Sequence, residues 1–373
     1  MGTLKGAGRL NIVILQPEIP AYRLDFFRRL AQALGPALRV MHSPGTLGGL
    51  SAPVNEDWAV LVGPRRVYPG RFEWQAGVTG LRLQRGDILV LSGNPRQLST
   101  LVLMARVRFY GARIVWWGHY WSATSRPGRQ RLRMRLAQLA DALLFYTDAE
   151  VARFEADGWR HPGLVGALNN GIDITQVRAL RSAYDRSKRG RNLVFIGRLS
   201  EKANLRLALD ALAKPSLRNV HLHVIGDGPE KVNLHARAVK LGVGDQITWH
   251  GSTTNEVRIA QITNKCAIFL YPGQVGLSLI HAMSYGLPCI IHDQPLRHMP
   301  EIAAFEAERT GFTFTQGDAE DLARVVSRAL SCPDRLHSMS ENCIRITSNC
   351  YNTEHMAERF IGIIDSIRQF DRT

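Results

Sequence analysis

The stretch 268–293, IFLYPGQVGLSLIHAMSYGLPCIIHD, encodes a strand, a loop, a helix and a second strand in succession. Its first four residues are an apolar run that predicts a buried strand, and the following Pro-Gly pair ends that strand. Apolar residues at helical spacing predict a helix that begins near Val275 or Gly276, and the Gly-Leu-Pro sequence at 286–288 stops it. Residues 289–291 are again apolar and predict the next strand. The stretch therefore predicts a β–α–β unit of an α/β fold.

The loop before this helix predicts a binding site for an anion. Gly276 permits a tight turn and a close approach of the main chain to a ligand. The N–H groups at a helix N-terminus favour negative charge, and the Ser278 hydroxyl adds a donor. In an α/β domain the natural ligand for such a loop is a phosphate or a diphosphate. An ordinary β–α–β turn, in which the glycine is needed only for steric reasons, explains the local pattern as well.

Length and composition favour a two-domain protein of the cytoplasm. The chain has 373 residues, of which 45% are hydrophobic, so each of two domains can bury a core. Five cysteines, an odd number without a Cys-x-x-Cys pair, predict reduced thiols rather than a disulfide framework. The sequence contains no apolar run of the roughly 18 residues that span a bilayer, no apolar signal core near its start and no metal-ligand cluster.

The net charge of +15 suggests an anionic partner, which could be nucleic acid, a membrane surface or a phosphorylated substrate. Arginines are concentrated in the first half of the chain, with five of them between positions 126 and 135. No nucleic-acid-binding motif accompanies them, so nucleic acid is not expected as a partner. The pattern at 129–143 is consistent with a basic amphipathic helix that lies on anionic lipid. A solvated helix face explains it equally well.

The N-terminal half alternates strands and helices, which predicts a parallel sheet with helices on both faces. His119 lies in the sequence WWGHYW directly after a predicted strand, where ligands of open α/β sheets bind. It is therefore a candidate for catalysis or substrate contact, although a histidine that is hydrogen-bonded within an aromatic loop fits as well. The Gly-, Ser- and Pro-rich segment 43–55 predicts a loop. The turn sequence NGID at 170–173 predicts a domain boundary near residue 170.

The second half repeats this alternation, and its first strand leads into a candidate diphosphate site. Gly197 follows that strand, and Arg198 and Lys202 are two cations four residues apart that can converge on one diphosphate. Gly226 follows the next strand in a Gly-Asp-Gly turn. Two helices, predicted at 318–330 and 353–370, close the chain.

Together these segments resemble the two-Rossmann-domain glycosyltransferases of the GT-B class, and most closely the retaining enzymes of family 4. The resemblance covers nearly the whole chain and rests on six motifs in order. They are NGID at 170–173, VFIGRLSEK at 194–202, HVIGDGPE at 223–230, ITWHG at 247–251, VGLSLIHAMSYGLPCI at 275–290 and TGFTF at 310–314. The resemblance implies two doubly wound domains that face a central cleft. It assigns 1–170 to acceptor binding and 171–350 to donor binding, with a helix at 351–373 packed back toward the first domain.

The resemblance also implies a reaction, in which a sugar moves from a nucleotide diphosphate to an acceptor hydroxyl with retention of the anomeric configuration. Arg198 and Lys202 would neutralise the diphosphate, and His119 would contact the transferred sugar. Asn170 and Gly171 would shape the hinge and the cleft. The remaining donor-binding residues would be Gly197, Gly226, Gly273, Gln274, Val275, Gly276, Leu277, Ser278 and His281. No metal or other cofactor is expected, because the two cations replace a metal in a chain without an Asp-x-Asp triplet.

One departure from the family concerns two glutamates that bracket the start of the helix, with seven residues between them. Aligned through VGLSLIHAM, the first falls on Gly273 and the second on His281. In the family the first contacts the donor sugar and the second holds the ribose hydroxyls. His281 can still hydrogen-bond ribose through a ring nitrogen, whereas Gly273 offers only main-chain groups. The resemblance thus implies a variant that holds its donor differently, and a protein that has lost activity is the alternative.

The implied function is that of a metal-independent hexosyltransferase that uses a UDP- or GDP-sugar in bacterial surface polysaccharide, lipopolysaccharide or glycolipid synthesis. Its partners would be the nucleotide-sugar donor, a glycan or lipid-linked acceptor and an anionic membrane surface, which it would meet from the cytoplasm. Two alternatives stay open. One is a nucleotide-sugar epimerase or hydrolase of the same fold, and the other is a catalytically silent nucleotide-sugar-binding homologue.

Overall fold

The computed structural model describes residues 11–45, 54–121 and 127–370, and the chain divides into two compact units. The first unit contains the described residues up to Asn170 together with those from Thr353 onward. The second unit contains residues 171–352. Within the described ranges the chain therefore crosses between the units twice, and helix 353–370 belongs to the first unit. Most of the loop predicted at 43–55, and Arg126 of the arginine run, lie outside the described residues.

Strands and helices alternate along most of the chain. The strands are β1 (Ile12–Leu15), β2 (Leu38–His42), β3 (Ala59–Leu61), β4 (Arg65–Tyr68), β5 (Phe72–Gln75), β6 (Ile88–Ser92), β7 (Arg113–Trp117), β8 (Ala142–Phe145), β9 (Leu164–Ala167), β10 (Asn192–Ile196), β11 (His221–Ile225), β12 (Ile247–Gly251), β13 (Ile268–Tyr271), β14 (Cys289–His292) and β15 (Gly311–Phe314). The helices are α1 (Leu24–Leu34), α2 (Leu98–Phe109), α3 (Pro127–Ala137), α4 (Asp148–Ala156), α5 (Thr175–Leu180), α6 (Arg186–Arg189), α7 (Leu205–Leu212), α8 (Lys231–Leu241), α9 (Glu256–Thr263), α10 (Leu277–Ser284), α11 (Ala319–Leu330), α12 (Pro333–Cys350) and α13 (Thr353–Phe370).

In the first unit, seven strands of the described chain form a parallel sheet in the order β3-β2-β1-β6-β7-β8-β9. The order runs one way from β1 to β3 and the other way from β6 to β9, so the direction of winding reverses between β1 and β6. Such a reversal, or switch point, leaves a crevice at the carboxyl ends of the strands, where ligands of open α/β sheets bind. The connections after β1, β6 and β7 are therefore the places to look for a site in this unit.

The last helix, α13, completes the core on one face of this sheet. Its Met356, Phe360 and Ile364 are fully buried in the same apolar cluster as Phe26 of α1. The rings of Phe360 and Phe26 meet edge to face with their centroids 5.9 Å apart. Side chains of α13 thus complete an apolar core to which α1 also contributes.

In the second unit, six strands of the described chain form a parallel sheet in the order β12-β11-β10-β13-β14-β15. This is the order of a Rossmann fold, and its switch point lies between β10 and β13, where Leu193 pairs with Ile268. The predicted α/β class with two doubly wound sheets is confirmed.

Three elements differ from the sequence prediction. The basic helix predicted at 129–143 is α3, which ends at Ala137, because residues 142–145 are the buried strand β8. Antiparallel pairing of β4 with β5 has no counterpart in the prediction, since most of the β4 side chains are exposed and show no apolar alternation. Helix α12 fills the interval between the two closing helices, which were predicted at 318–330 and 353–370.

The packing of α13 predicts a large loss of stability when Phe360 is truncated. Phe360→Ala removes a fully buried ring from the first unit and is expected to lower the free energy of unfolding by about 3–5 kcal/mol. Gly362→Ala is the matched control, because a Cβ atom at Gly362 meets nothing within 4 Å. Alanine should raise stability there by roughly 0.5–1 kcal/mol. Urea unfolding measures both variants, and equal, small effects would contradict the assignment of α13 to this core.

Candidate functional site

Two loops of the second unit leave the carboxyl ends of the strands that flank its switch point. One follows β10 and carries Arg198 and Lys202, and the other follows β13 and leads through residues 272–276 into α10. In a sheet of this topology the ligand crevice opens between such loops. The residues that the sequence predicts for a diphosphate site are thereby brought to one edge of the sheet.

A main-chain contact joins the two loops. The N–H of Gln274 donates to the Lys202 carbonyl at 2.9 Å. Gly273 packs so closely on the same turn that a Cβ atom there would lie 2.1 Å from the Lys202 oxygen. Any side chain at position 273, a glutamate included, would force the loops apart. Glycine is therefore a requirement of this loop arrangement, which explains why the first of the two family glutamates is missing.

The two predicted cations of this site are both exposed. Within the part of the chain that the structure describes, neither Arg198 nor Lys202 has an ion pair or a side-chain hydrogen bond. Two cations without protein partners, four residues apart, suit a diphosphate ligand. Among the same residues, no group of three or more His, Cys, Asp or Glu side chains is arranged to hold a metal ion.

The N-terminus of α10 offers fewer free donors than the sequence predicts. The N–H of Val275 donates to His298 Nδ1 at 3.2 Å, so this amide is already occupied. Gly276 is the N-cap, and the N–H groups of Leu277 and Ser278 are the first two of the helix, which have no intrahelical acceptor. All three residues are partly exposed. An anion at α10 therefore has the Leu277 and Ser278 amides as its main-chain donors.

The residue that occupies the Val275 amide is a fully buried histidine that the sequence pattern does not single out. His298 accepts from Val275 through Nδ1, and its Nε2 lies 3.1 Å from the His292 carbonyl, so Nε2 carries the proton. The two histidine rings stack with their centroids 3.7 Å apart. Burial lowers the pKa of His298, and it lowers the pKa of His292 to about 4. Both rings are therefore neutral at pH 7, as the hydrogen bond from Val275 requires.

His281, the predicted ribose ligand, lies on α10 beside a carboxylate from another helix. Its Nε2 is 2.8 Å from Oε1 of Glu256, the first residue of α9, and the Tyr285 hydroxyl donates to the same carboxylate. Because Glu256 holds Nε2, a ribose contact through His281 is restricted to Nδ1. Glu256 also brings a negative charge next to the position where the family carries its second glutamate.

Gly197 and Gly226 are required by their packing against each other. A Cβ atom at Gly226 would lie 1.9 Å from the Gly197 carbonyl oxygen, and one at Gly197 would lie 3.0 Å from the Tyr271 ring. The two glycines therefore let β10 and β11 end side by side at the carboxyl edge of the sheet. Their contact with a donor stays a prediction.

His119, the predicted catalytic residue of the first unit, follows β7 at the carboxyl edge of the first sheet. Its ring stacks on Tyr146 with 4.1 Å between centroids, and its Nδ1 is enclosed 3.9 Å from Glu150 Oε1, without a hydrogen bond to any described residue. Burial, aided by the charges of Arg133 and Arg23, lowers the pKa of His119 to about 3. His119 is thus a neutral imidazole at pH 7. The two arginines whose charges act on it are not singled out by the sequence pattern, and they become candidate site residues.

The predicted hinge residues lie where the chain passes from the first unit to the second. Asn170 is 3% exposed, and its N–H donates to the Tyr146 carbonyl at 2.8 Å. A Cβ atom at Gly171 would lie 2.4 Å from the Asn352 nitrogen. Packing therefore accounts for both residues, and their role in a hinge or cleft stays a prediction.

Comparison with known families confirms the resemblance that the motifs predict. Residues 177–345, which lie within the second unit, match the family described as Glycosyl transferases group 1. The chain is also similar to the solved structure of HepE from Anabaena in complex with UDP. That similarity has a TM-score of 0.69 at 16% identity and covers 96% of this chain and 100% of HepE. The two-domain GT-B fold is thereby confirmed.

Two characterised relatives share shorter segments with the chain. It is 25% identical over 230 residues to D-inositol 3-phosphate glycosyltransferase 2 of Catenulispora acidiphila, an alignment that covers 56% of this chain and 52% of that protein. It is 32% identical over 106 residues to the lipopolysaccharide 1,6-galactosyltransferase of Salmonella typhimurium, with 27% of this chain and 29% of the relative covered. The aligned parts therefore span about half and less than a third of these two relatives.

The neutral His298–His292 pair predicts a loss of stability in acid. The pKa of each histidine is lower in the folded state than the usual 6.5. The contribution of the pair to the free energy of unfolding is therefore complete above pH 6.5 and is lost as the pH falls through the folded-state pKa values. His298→Asn keeps an acceptor near the Val275 amide but cannot titrate, so its Tm is expected to fall less than that of the wild type between pH 6.5 and 4.

The charged neighbours of the stacked pair, Asp293 and Arg297, remain in this variant. His337→Asn, which replaces an exposed histidine of α12, is the matched control and is expected to follow the wild-type curve. Parallel Tm profiles for the wild type and His298→Asn would show that the stacked pair does not govern acid stability.

Proposed function

We propose that this protein transfers a sugar from a UDP- or GDP-sugar to a hydroxyl of a glycan or lipid-linked acceptor, with retention of configuration. The premise is that the second unit matches the family Glycosyl transferases group 1. The observation that carries the proposal is the hydrogen bond between Lys202 and Gln274, which joins a loop with two unpaired cations to the N-terminus of α10. Cations and helix N-termini both favour a diphosphate. The lipopolysaccharide galactosyltransferase among the relatives favours a bacterial surface glycan as the product.

In this proposal the protein assists the departure of the nucleotide diphosphate. Negative charge grows on the leaving oxygen, and Arg198, Lys202 and the amides at the start of α10 stabilise it. The leaving phosphate takes the proton of the acceptor hydroxyl, so that the step uses neither a protein nucleophile nor a metal ion. His119 serves as a neutral hydrogen-bonding partner of the sugar, because an imidazole with a pKa near 3 is uncharged at pH 7 and cannot act as a general acid there.

The diphosphate site predicts a strong dependence of transfer on its two cations. Arg198→Ala and Lys202→Ala are each expected to lower kcat/KM by about 10²–10³, since each removes a charge that stabilises the leaving group. Lys240→Ala, at an exposed position on α8, is the matched control and should leave the rate unchanged. The donor is first chosen by thermal shift with a panel of nucleotide sugars, and the released nucleotide is then measured with and without EDTA.

Several outcomes would contradict this function. Full activity in Arg198→Ala would remove the cations from the mechanism, and loss of activity in EDTA would make the reaction metal-dependent. An inverted product, detected by NMR of the anomeric proton, would exclude retention. Release of a free sugar or of an epimer without any acceptor would favour a hydrolase or an epimerase, and nucleotide binding without turnover would favour a silent binding protein.

The proposal includes contact with an anionic membrane at the cytoplasmic side through the α2–α3 surface, defined here as Arg108, Phe109, Arg129, Arg131 and Leu132. Phe109 is 91% exposed at the end of α2, and Leu132 is 57% exposed on α3. Arg108 donates to the Leu139 carbonyl at 3.1 Å, which brings the end of α2 next to the turn after α3. Apolar side chains flanked by exposed arginines favour anionic lipid. None of the described helices combines the length and apolar character needed to cross a bilayer.

Charge reversal on the α2–α3 surface tests this part of the proposal. Arg129→Glu with Arg131→Glu is expected to weaken binding to phosphatidylglycerol vesicles at least about tenfold, since each basic residue near a membrane contributes about 1 kcal/mol. Arg133 does not belong to this surface, because it is half-buried and donates to the Tyr120 carbonyl at 2.6 Å. Arg218→Glu with Arg345→Glu, two exposed positions of the second unit, gives a control of equal net charge. Equal vesicle binding by the two double variants would contradict a membrane role for α3.

A further inference from the structure

Arg23 is a buried arginine that has no anionic partner in the part of the chain that the structure describes. It follows the connection after β1, immediately precedes α1 and is 6% exposed. Its guanidinium carbon lies 5.4 Å from the Trp117 ring centroid and 5.7 Å from that of Tyr146, and Nη1 donates to the Met356 sulfur at 3.1 Å. Among the described residues, no carboxylate forms an ion pair with it.

This environment compensates poorly for the burial of a full charge. Removing a guanidinium group from water is costly unless the charge is paired and hydrogen-bonded. A thioether sulfur is a weak acceptor, and aromatic faces attract a cation only modestly. A methionine would fill the space between the rings without a charge to desolvate. Folding stability alone therefore does not explain Arg23.

Two further side chains near Arg23 have unfilled hydrogen-bonding capacity. Arg133 donates to the Tyr120 carbonyl through Nη2, but its Nε is enclosed and has no partner among the described residues. His119 Nδ1 is likewise enclosed and without a hydrogen bond in that part of the chain. Arg23 and His119 both lie against the Tyr146 ring, at 5.7 and 4.1 Å from its centroid. Arg133 donates to the carbonyl of Tyr120, the residue after His119, and the charges of both arginines contribute to the low pKa of His119. The three side chains thus form one electropositive group.

One carboxylate, Glu150, lies beside this group and is already engaged. Glu150 is fully buried, and its oxygens accept the main-chain N–H groups of Tyr120, Tyr146 and Thr147. Glu150 interacts electrostatically with Arg133, and no carboxylate of the described residues forms an ion pair with Arg23, so an excess of positive charge remains. An anionic ligand would supply both the missing charge and the missing acceptors.

The electropositive group lies at the carboxyl edge of the first sheet, close to its switch point. Arg23 comes from the connection after β1, one of the two strands that flank the reversal, and His119 follows β7. Ligands of open α/β sheets bind in the crevice at such a reversal. Position and charge together therefore favour a ligand site over a purely structural cluster.

We propose that Arg23, Arg133 and His119 form an anion site in the first unit that binds a phosphate group of a substrate. The oxygens of a phosphate point in several directions, which suits two guanidinium groups and an imidazole that come from different elements. The phosphate belongs either to the acceptor or to the nucleotide of the donor. Its assignment to a substrate rests on the proposed function, whereas the binding of a phosphate group does not.

Inorganic phosphate is the probe, and Arg198→Ala/Lys202→Ala is the background, because that double substitution removes the cations of the second unit's diphosphate site. Phosphate far above its Kd is expected to raise the Tm of this background by a few degrees. Adding Arg23→Met should abolish the rise and leave the ligand-free Tm unchanged or higher. A lower ligand-free Tm with an unchanged phosphate response would overturn the proposal, and so would a background that does not respond to phosphate.

Arg28→Met is the matched control, because Arg28 lies on α1, is exposed and pairs with Glu56 at 2.7 Å. It is expected to leave the phosphate response intact. Arg23→Lys keeps the charge but loses the planar fork, so phosphate should bind about tenfold more weakly. This variant keeps the proposal testable if Arg23→Met does not fold, and an unaltered phosphate affinity in Arg23→Lys would overturn it.

Nucleotide binding distinguishes the two sources of the phosphate. Weaker binding of UDP and GDP to Arg23→Met would identify the donor diphosphate as the anion. Unchanged nucleotide affinity with loss of transfer to the acceptor would identify a phosphate of the acceptor. If both nucleotide binding and transfer were unchanged, the assignment of this site to a substrate would be wrong. The proposed function would still stand in that case, because the diphosphate site of the second unit is tested separately.

Discussion

The hydrogen bond from the Gln274 amide to the Lys202 carbonyl is the contact on which the donor edge of the second unit depends. It holds the loop after β10 against the loop after β13, and these loops carry the groups proposed to bind the diphosphate. The contact also fixes the residue at position 273, because the Lys202 carbonyl occupies the space that a side chain would need. The absence of a glutamate there, which from the sequence could also indicate lost activity, is thereby accounted for by packing.

Much of the second unit could be predicted from the sequence, since its strands are unbroken apolar runs and its turns are marked by glycine and proline. The bounds predicted for β13 and α13 are those of the structure. The pairing of polar groups across long sequence distances could not be predicted. The hydrogen bonds of Val275 with His298 and of His281 with Glu256 form only because separate loops and helices pack together. No local sequence pattern indicates that packing.

The first unit shows the same limit more strongly. The position of His119 after a strand is visible in the sequence, but Arg133 belongs there to a run of arginines typical of a solvated helix. In the structure Arg133 points inward and donates to the Tyr120 carbonyl. Arg23, which is more than 100 residues earlier in the sequence, acts on the same His119 ring. Burial keeps His119, His292 and His298 neutral at pH 7, so the positive charge of both sites comes from arginine and lysine. That charge is constant around neutral pH.

The return of α13 to the first unit has a consequence for the order in which the protein folds during synthesis. Domains generally fold as units as they leave the ribosome, the N-terminal one first. Here residues 171–352 are contiguous and can complete their sheet while the first unit still lacks Phe360 and its neighbours. Until the last helix emerges, the apolar face that it covers stays open to chaperones and to other nascent chains.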